Sequence, residues 1–276
     1  MKAEETAAPA PAPERPPAAP GAGGLAPQGD LGSGAMFDRI ARRYDLCNRV
    51  LSLGLDRSWR RRAVRALQLP PDGRPRVLDV ATGTGDLAID LARACPGAAI
   101  IGLDPSARML EIAAEKVARR GLGDRVTFIV GDAQALPYGS CELDAATIAF
   151  GIRNVPDRGA ALRELARVVR PGGRVAVLEL GEPSGRAAAD APAISRVVRR
   201  VLGGAARLHV RHVVPRLGAL LSGPREYAYL QRSVAAFPPP DEFAALMRSS
   251  GLDVVDVQSI MFGACTLFVA TPAEDA

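Results

Sequence analysis

The fold is decided by one stretch of sequence, Asp79-Val80-Ala81-Thr82-Gly83-Thr84-Gly85-Asp86. The apolar run Arg76–Val80 leads into it and is typical of a short buried strand. Glycines at the carboxyl end of a strand let the backbone turn tightly and approach a bound ligand closely. The stretch therefore predicts a strand, a glycine-rich turn and a helix, with a small-molecule site at the turn.

Apolar strands and helices alternate after this loop, which is typical of a parallel sheet covered on both faces. The sequence predicts strands at Arg76–Val80, Ala99–Leu103, Val126–Val130, Leu143–Ile148 and Arg174–Leu180, and helices at Leu87–Ala94, Ala107–Arg120 and Arg158–Val169. It then predicts a helix at Pro240–Ser250 and strands at Asp253–Ile260 and Cys265–Ala270, the last expected to be antiparallel. The predicted fold class is α/β, a Rossmann-like doubly wound sheet.

The domain organisation follows from composition. Residues 1–33 are mostly Ala, Pro and Gly, and they predict a disordered tail because they offer little apolar surface to offset the entropy of ordering. Residues 34–272 form the predicted domain. It opens with a helical segment, 36–69, that is expected to break at Gly54 and to act as a lid. A basic helical insertion is predicted over residues 187–222.

The chain is basic, with a formal net charge of +5 and a pI near 9.4. Between Asp38 and Arg65 there are nine arginines and three aspartates. Such a patch suits a nucleic acid, a membrane surface or merely a solvated helix face. Only 4% of the residues are aromatic, which leaves few side chains to stack on bases. Nucleic acid is therefore not an expected partner.

Cysteine and histidine usage points to a reducing compartment and no metal. The four cysteines are far apart in the sequence, as is typical of small core residues in a cytoplasmic protein. The only histidines, His209 and His212, cannot build a metal site by themselves. No stretch reaches roughly 18 uncharged apolar residues, so no membrane span is predicted. We expect a cytoplasmic protein.

The glycine loop alone leaves two cofactor classes open. The run Gly83-Thr84-Gly85-Asp86-Leu87-Ala88 fits the dinucleotide fingerprint, and Asp104 follows about 20 residues later, where a carboxylate holds ribose hydroxyls. Asp79 and Asp86, however, would repel a pyrophosphate, and Asp79 suits the cationic sulfonium and amino group of S-adenosylmethionine. After the third strand, Asp132 can accept a hydrogen bond from adenine. These features match class I S-adenosylmethionine-dependent methyltransferases; in the alternative interpretation the acids serve only the turn and the helix start.

More specific stretches extend the match over Met36 to Pro272. The most diagnostic run is Phe150-Gly151-Ile152-Arg153-Asn154-Val155, because methyltransferases in general vary there. Others are Met36-Phe37-Asp38, Leu51-Ser52-Leu53-Gly54, Trp59-Arg60, Ala135-Leu136-Pro137, Arg170-Pro171-Gly172-Gly173 and Tyr227-Ala228-Tyr229-Leu230. In these the chain resembles the quinone-biosynthesis C-methyltransferases, demethylmenaquinone methyltransferase and 2-polyprenyl-6-methoxy-1,4-benzoquinol methylase. It departs at Ala149, where these enzymes often carry a serine that touches the cofactor, and near His209, where a tyrosine is expected.

The resemblance implies methyl transfer from S-adenosylmethionine to a ring carbon of a polyprenylated quinol. Demethylmenaquinol is the expected substrate, with the benzoquinol of ubiquinone synthesis or another small molecule as alternatives. The cofactor-binding residues expected from the loop and from the resemblance are Asp79, Gly83, Thr84, Gly85, Asp104, Asp132 and Ala133. Two rival functions are a methyltransferase acting on RNA and a non-catalytic binding module with the same fold.

Arg153 and Asn154 are the predicted catalytic residues, because they follow the fourth strand beside the glycine loop. An aromatic carbon becomes a good nucleophile when an adjacent hydroxyl loses its proton, and a cation such as Arg153 stabilises the phenolate. A surface ion pair is the alternative for Arg153, and capping of the next helix is the alternative for Asn154. Tyr44, Asn48 and Tyr229 are predicted to line the lid or the substrate pocket, with core packing as the alternative for both tyrosines.

A polyprenyl quinol resides in the bilayer, so the sequence predicts peripheral contact with the inner face of a membrane. The contact is expected from the arginines of Arg57–Arg65 and from those of the insertion, Arg196, Arg199, Arg200, Arg207 and Arg211. Arginines that alternate with apolar residues at helical spacing suit a helix lying in the interface. A packed helix with a solvated arginine face is the alternative. A homodimer is also among the expected assemblies.

Overall fold

The computed structural model of the chain describes residues 34–52, 54–181 and 224–274. The predicted disordered tail, 1–33, and the predicted insertion, 187–222, lie outside the described residues, together with both histidines and the insertion's arginines. No helix in the described ranges is long and apolar enough to cross a membrane.

Within the described residues, seven strands build one sheet. They are β1 Arg76–Val80, β2 Ala99–Asp104, β3 Val126–Val130, β4 Leu143–Ala149, β5 Val169–Leu180, β6 Leu252–Ile260 and β7 Cys265–Pro272. Their order across the sheet is β3-β2-β1-β4-β5-β7-β6. Strands β1 to β5 run parallel to one another, whereas β7 runs antiparallel to both β5 and β6. The predicted α/β class with an antiparallel last strand is confirmed.

Helices cover both faces of this sheet. They are α1 Gly34–Leu51, α2 Asp56–Ala66, α3 Asp86–Ala94, α4 Ala107–Ala118, α5 Arg158–Val168, α6 Pro224–Ala235 and α7 Pro240–Ser249. One apolar core lies between the sheet and α5 and α7, and includes Leu162 and Phe243. The other lies under α2 and α3, and includes Trp59 and Leu91. Both faces of the strands are therefore buried, as the continuous apolar runs predicted.

Three details differ from or refine the sequence predictions. The break expected at Gly54 is present, because α1 ends at Leu51, α2 begins at Asp56, and Gly54 has the positive φ of 75° that favours glycine. β5 begins at Val169, earlier than predicted, although Pro171 and two glycines follow it. Helix α6 was not predicted.

The strand order reverses between β1 and β4, since β1 pairs with both β2 and β4. In an open α/β sheet the loops on either side of such a reversal separate, and ligands bind in the crevice at the carboxyl ends of the strands. The loops that follow β1, β2, β3 and β4 all reach this edge. This is where the sequence placed the glycine loop and most of the other candidate residues.

Candidate active site

A cavity of about 400 Å³ lies at this edge, closed on one side by α1. A second, smaller cavity of about 40 Å³ adjoins it at the glycine loop. The two share Tyr44 and Gly83 in their linings. Of the predicted site residues, Tyr44, Gly83, Asp104, Asp132, Ala133 and Asn154 line the larger cavity, and Asn48, Asp79 and Thr84 line the smaller. Residues from five separate segments of the chain are thus brought together.

Three predicted residues, Gly85, Arg153 and Tyr229, line neither cavity. Gly85 instead allows the turn into α3: its φ is 77°, and a Cβ there would lie 2.9 Å from the Cβ of Ala113. That distance is too short, so any other residue would push α4 away from the loop. The prediction that Gly85 contacts the cofactor stays a prediction.

Asp104, at the end of β2, organises the loop as well as facing the cavity. Its Oδ2 accepts a hydrogen bond from the Gly83 amide at 2.9 Å, and its Oδ1 accepts one from the Ser106 amide at 2.9 Å. Burial raises the pKa of the Asp104 carboxyl, although both amide hydrogen bonds oppose this. A carboxylate oxygen can accept more than one hydrogen bond. Asp104 therefore retains acceptor capacity for two neighbouring hydroxyls.

Asp79 is buried at the end of β1, beneath the smaller cavity. Its two carboxyl oxygens accept hydrogen bonds from the hydroxyls of Thr82 at 2.6 Å and Thr147 at 2.8 Å. Burial raises the pKa of Asp79 to about 6, because desolvation of the charge outweighs these two bonds. No basic side chain is hydrogen-bonded to this carboxylate among the residues described. Arg60, which lines the same cavity, lowers this pKa least of the named causes, and a cation bound in the cavity would add a countercharge.

Asp132 differs from the other two acids because it is exposed at the cavity mouth. Its Oδ1 accepts hydrogen bonds from the backbone amide of Gln134 at 2.9 Å and from the Gln134 side-chain amide at 3.0 Å. These bonds fix the carboxylate beside Ala133, which also lines the cavity. Both residues line the larger cavity and neither lines the smaller one.

Arg153 lies in a short 3₁₀ turn, Ile152–Asn154, and its side chain is buried. Its Nη1 donates to Glu179 Oε1 at 2.6 Å and to the Phe150 carbonyl at 2.6 Å. Its backbone amide donates to Glu179 Oε2 at 3.1 Å. Burial lowers the pKa of Arg153, but its interactions with Glu179 and Tyr44 outweigh this effect. The pKa of Arg153 is therefore raised overall. The alternative of a surface ion pair is therefore wrong, because the pair with Glu179 is buried; the catalytic role of Arg153 stays a prediction.

Asn154 reaches the cavity from the next position of the same turn. Its Oδ1 accepts a hydrogen bond from the Tyr229 hydroxyl at 3.2 Å, and Tyr229 is itself buried on α6. The alternative that Asn154 caps the next helix is wrong, because Asp157 caps α5 through the amide of Ala160. Asn154 is thus free of a capping role and is oriented from behind by a tyrosine.

Tyr44 stands between the two cavities and contributes the aromatic wall of both. Burial raises the pKa of its phenol, whereas Arg153 and a hydrogen bond with Asn48 lower it. A Cβ added to Gly83 would lie 3.8 Å from the Tyr44 ring. The aromatic ring of Tyr44, on α1, therefore packs closely against the glycine loop.

Sequence reasoning missed three charged residues around the site, namely Arg60, Lys116 and Glu179. Arg60 on α2 pairs with Asp56 at 2.9 Å and with Asp86 at 3.1 Å. Lys116 on α4 pairs with Asp45 at 2.7 Å, and its neighbour in the smaller cavity is Thr84. The sequence does contain a signal for two of them. Glu179 is an acid within the apolar run of β5, and Lys116 lies at a position that shares the buried face of α4.

The residues present fit S-adenosylmethionine better than a dinucleotide. A cavity of about 400 Å³ is within the range of small-molecule sites, roughly 300–1,000 Å³. Five aspartates line the two cavities, and three of them, Asp79, Asp104 and Asp132, are free of a salt bridge in the described residues; they suit hydroxyls, an amine and a cation while opposing a pyrophosphate. The buried, unpaired carboxylate of Asp79 is the observation that favours a cationic ligand.

The seven-stranded sheet and the glycine loop with its carboxylates define a class I methyltransferase that uses S-adenosylmethionine. The ubiE/COQ5 methyltransferase family matches residues 29–272. The chain belongs to this family, and both the predicted enzyme class and the predicted cofactor are confirmed. The sequence resemblance, which covered Met36 to Pro272, is confirmed as well.

Similar proteins agree with this assignment over most of their lengths. The chain is 44% identical over 233 residues to the "Ubiquinone/menaquinone biosynthesis C-methyltransferase UbiE" of Syntrophotalea carbinolica, covering 84% of this chain and 91% of the relative. It is also 44% identical to the "Demethylmenaquinone methyltransferase" of Thermus thermophilus, covering 85% and 98%. A third relative, from Deinococcus radiodurans, carries the same name as the second and is 44% identical, covering 85% and 90%.

Solved structures share the fold at low identity. The [4+2]-cyclase SpnF has a TM-score of 0.56 at 20% identity, covering 79% of this chain and 81% of that one. Mitomycin 7-O-methyltransferase MmcR has a TM-score of 0.54 at 22% identity, covering 86% and 60%. A cyclase and an O-methyltransferase on one fold illustrate that the fold does not determine the reaction. The substrate must be argued from the site.

Proposed function

We propose that this enzyme transfers a methyl group from S-adenosylmethionine to a ring carbon of a polyprenylated quinol, most simply demethylmenaquinol in menaquinone biosynthesis. The observation that carries the proposal is the single cavity that joins the glycine loop to the turn bearing Asn154. The names of relatives 44% identical over most of the chain support quinone methylation. The benzoquinol of ubiquinone synthesis is the second candidate, since one relative is named for both pathways.

Each cofactor-facing residue has a proposed role that its contacts support. Asp104 would accept the ribose hydroxyls, while Asp132 and Ala133 would hold the adenine edge at the cavity mouth. Asp79 would offset the positive charge from below the smaller cavity. Thr84 and Gly83 would border the methionine portion. Bound S-adenosylmethionine would supply an electrophilic methyl group, and positioning of the two reactants would contribute most of the acceleration.

On the substrate side, Asn154 and Tyr44, which both line the larger cavity, would contact the quinol ring. Asn154 would bind a quinol oxygen through its amide, because its own oxygen already accepts from Tyr229. Arg153 would act from within the protein. Its buried charge next to this turn would favour the phenolate over the phenol, since electrostatic interactions are strong where water is excluded. We retain Asn154 as the proposed catalytic residue and Arg153 as a positioning residue behind it.

The proposed role of Arg153 predicts a selective loss of turnover. Arg153→Lys keeps the charge but loses the planar guanidinium, whose Nη1 donates to both Glu179 and the Phe150 carbonyl. We expect turnover with demethylmenaquinol to fall by roughly 10²-fold or more, the scale of an electrostatic contact to a developing anion. Affinity for S-adenosylmethionine should stay near that of the wild type.

The assay uses radiolabelled S-adenosylmethionine and a panel of reduced naphthoquinols and benzoquinols, with calorimetry for cofactor affinity. Arg163→Lys is the matched control, because Arg163 is exposed on α5 and makes only a long surface ion pair of 4.0 Å. Methylation of none of the quinols would contradict the proposed substrate class. Wild-type turnover in the Arg153→Lys variant would contradict the proposed role of Arg153.

We also propose peripheral membrane contact, because the proposed substrate resides in a bilayer. Within the described residues the support is α2, whose Arg57, Arg61, Arg62 and Arg65 are exposed on one side while Trp59 packs in the core. Leu55, at the start of this helix, is 38% exposed. Exposed arginines beside an exposed apolar side chain suit an anionic leaflet, at about 1 kcal/mol per arginine.

Co-sedimentation with vesicles tests this contact. Wild-type protein is expected to bind anionic phosphatidylglycerol vesicles at low salt and to release them as salt rises. Arg61→Glu with Arg62→Glu should weaken binding roughly 30-fold or more at low salt, since two arginines are lost and two like charges are added. Arg119→Glu, on the exposed side of α4, is the control. Equal binding by all variants would leave only the solvated-helix alternative. The predicted homodimer stays a prediction that sedimentation of the free protein tests.

A further inference from the structure

Lys116 on α4 makes a set of polar contacts that the proposed reaction does not use. It is the only lysine among the residues described, and its side chain is 9% exposed. Its Nζ lies 2.7 Å from Asp45 Oδ2 and 3.2 Å from Thr84 Oγ1, and it is paired with Asp86 as well. An ammonium has three donor hydrogens, and here each has an acceptor.

These acceptors belong to two separate parts of the molecule that both border the cavities. Asp45 lies on α1, whereas Thr84 and Asp86 belong to the glycine loop and the start of α3. Thr84 completes the arrangement, because its hydroxyl donates to Asp45 Oδ1 at 2.5 Å while it accepts from Lys116. One buried cation therefore joins α1 to the glycine loop.

Helix α1 buries little apolar surface through those of its side chains that the structure describes. Among its described side chains, only those of Met36 and Ala41 are both apolar and buried. A further polar contact lies near its start, where Asp38 Oδ1 accepts from the Ser106 hydroxyl at 2.5 Å. A helix with little buried apolar surface opens locally at a low free-energy cost. The contact through Lys116 therefore contributes a large share of what keeps α1 in place.

The larger cavity lies between α1 and the glycine loop. Phe37 and Tyr44 line it from α1, and Gly83 lines it from the loop. A molecule bound between the two parts contacts both, so it favours the arrangement in which they are together. By the same linkage, any change that separates α1 from the loop weakens binding of that molecule.

We propose that Lys116 is a cofactor-positioning residue: it holds α1 closed over the glycine loop, and exchange of the cofactor requires Lys116 to release Asp45. The residue acts through Asp45, Thr84 and Asp86 rather than by touching the reacting atoms. The inference rests on the proposed function only for the identity of the occupant, S-adenosylmethionine.

Chemical acetylation of lysine tests this directly. The whole chain has two lysines, Lys2 and Lys116, so mass spectrometry of the digest assigns each product, and Lys2 normalises the dose of the N-acetoxysuccinimide reagent. Saturating S-adenosylmethionine is expected to slow acetylation of Lys116 by roughly 10-fold or more, while Asp45→Asn accelerates it by a similar factor. Acetylation of Lys116 that responds to neither change would overturn the proposal.

Variants of Lys116 give a second, independent readout. Lys116→Met is expected to speed dissociation of S-adenosylmethionine by roughly 10-fold or more, and Lys116→Arg, which keeps a cation, should restore part of the difference. Glu115→Gln is the matched control, because Glu115 is the preceding residue on α4 and is exposed. Equal dissociation rates for the wild type and for both Lys116 variants, in proteins that circular dichroism shows to be folded, would also overturn the proposal.

Calorimetry separates this inference from the proposed function. A wild-type protein that binds no S-adenosylmethionine would contradict the proposed function itself. Bound S-adenosylmethionine that leaves the acetylation of Lys116 unchanged would contradict the role of Lys116 alone.

Discussion

Replacement of Glu179 by alanine is expected to lower the free energy of unfolding by roughly 3–5 kcal/mol, the usual cost of removing one partner of a buried ion pair. Glu179 is 1% exposed and accepts from the guanidinium and from the backbone amide of Arg153. Arg158 is also buried nearby and donates to the Arg153 carbonyl at 3.2 Å. Without Glu179, two buried guanidinium groups lose their shared countercharge.

Urea unfolding followed by circular dichroism measures this effect. Glu142→Ala is the control: Glu142 pairs with Arg76 at the surface, where both side chains are more than one-third exposed, and such exposed pairs contribute little to stability. Glu179→Leu combined with Arg153→Met should be less destabilising than Glu179→Ala, because it leaves one fewer buried charge without a partner. A loss of stability as small as that of the Glu142 control would contradict the prediction.

Asp79→Asn is expected to stabilise the free protein at pH 7.5 by up to about 3 kcal/mol. The pKa of Asp79 is raised from 3.8 to about 6 in the folded state, and each pKa unit corresponds to about 1.4 kcal/mol. The folded state therefore binds the proton more tightly than the unfolded state does. This contribution to stability is complete below the unfolded pKa and is lost as the pH rises through about 6. At pH 7.5 the wild type folds with a buried charge that the variant lacks.

The difference in stability between the two proteins should consequently shrink as the pH falls from 7.5 to 5. The Asp79→Asn variant should bind S-adenosylmethionine more weakly than the wild type at pH 7.5, since it lacks the negative charge that favours a cationic ligand. Thr147→Val removes a hydrogen bond that lowers the pKa of Asp79. The pH range over which stability is lost should therefore move to higher pH in this variant. A difference in unfolding free energy that is independent of pH would contradict the interpretation.

The fold could be predicted well from the sequence because its information is local. Each parallel strand is a short apolar run bounded by a turn, and each helix buries a regular face. Helix α6 was missed although its apolar residues recur at helical spacing, because the prolines at its first position and beyond its end make the whole stretch resemble a loop. β5 starts early because Val169 pairs with Leu143 across a register shift in β4, a contact that no local pattern predicts.

The sequence located most of the residues that line the cavities, and it missed charged residues that pair over long sequence separations. Asp104 and Asp132 follow their strands directly, so the ends of the strands located them. Arg153 was placed at the correct turn, but its partner Glu179 lies 26 residues further along, on β5. Lys116 and Asp45 are separated by 71 residues. Pairings of this kind depend on how helices are arranged in space.

The position of β7 has a consequence for the synthesis of this protein. Cys265–Pro272 lies between β5 and β6 in the sheet although it is translated after both. The apolar edge of β5 at Val175–Leu180 therefore stays unpaired until the ribosome has added the residues up to β7. An unpaired apolar edge is a template for association with other nascent chains. The time for which this edge stays unpaired is set by the speed of translation. We expect this time to influence how much correctly folded enzyme a cell obtains.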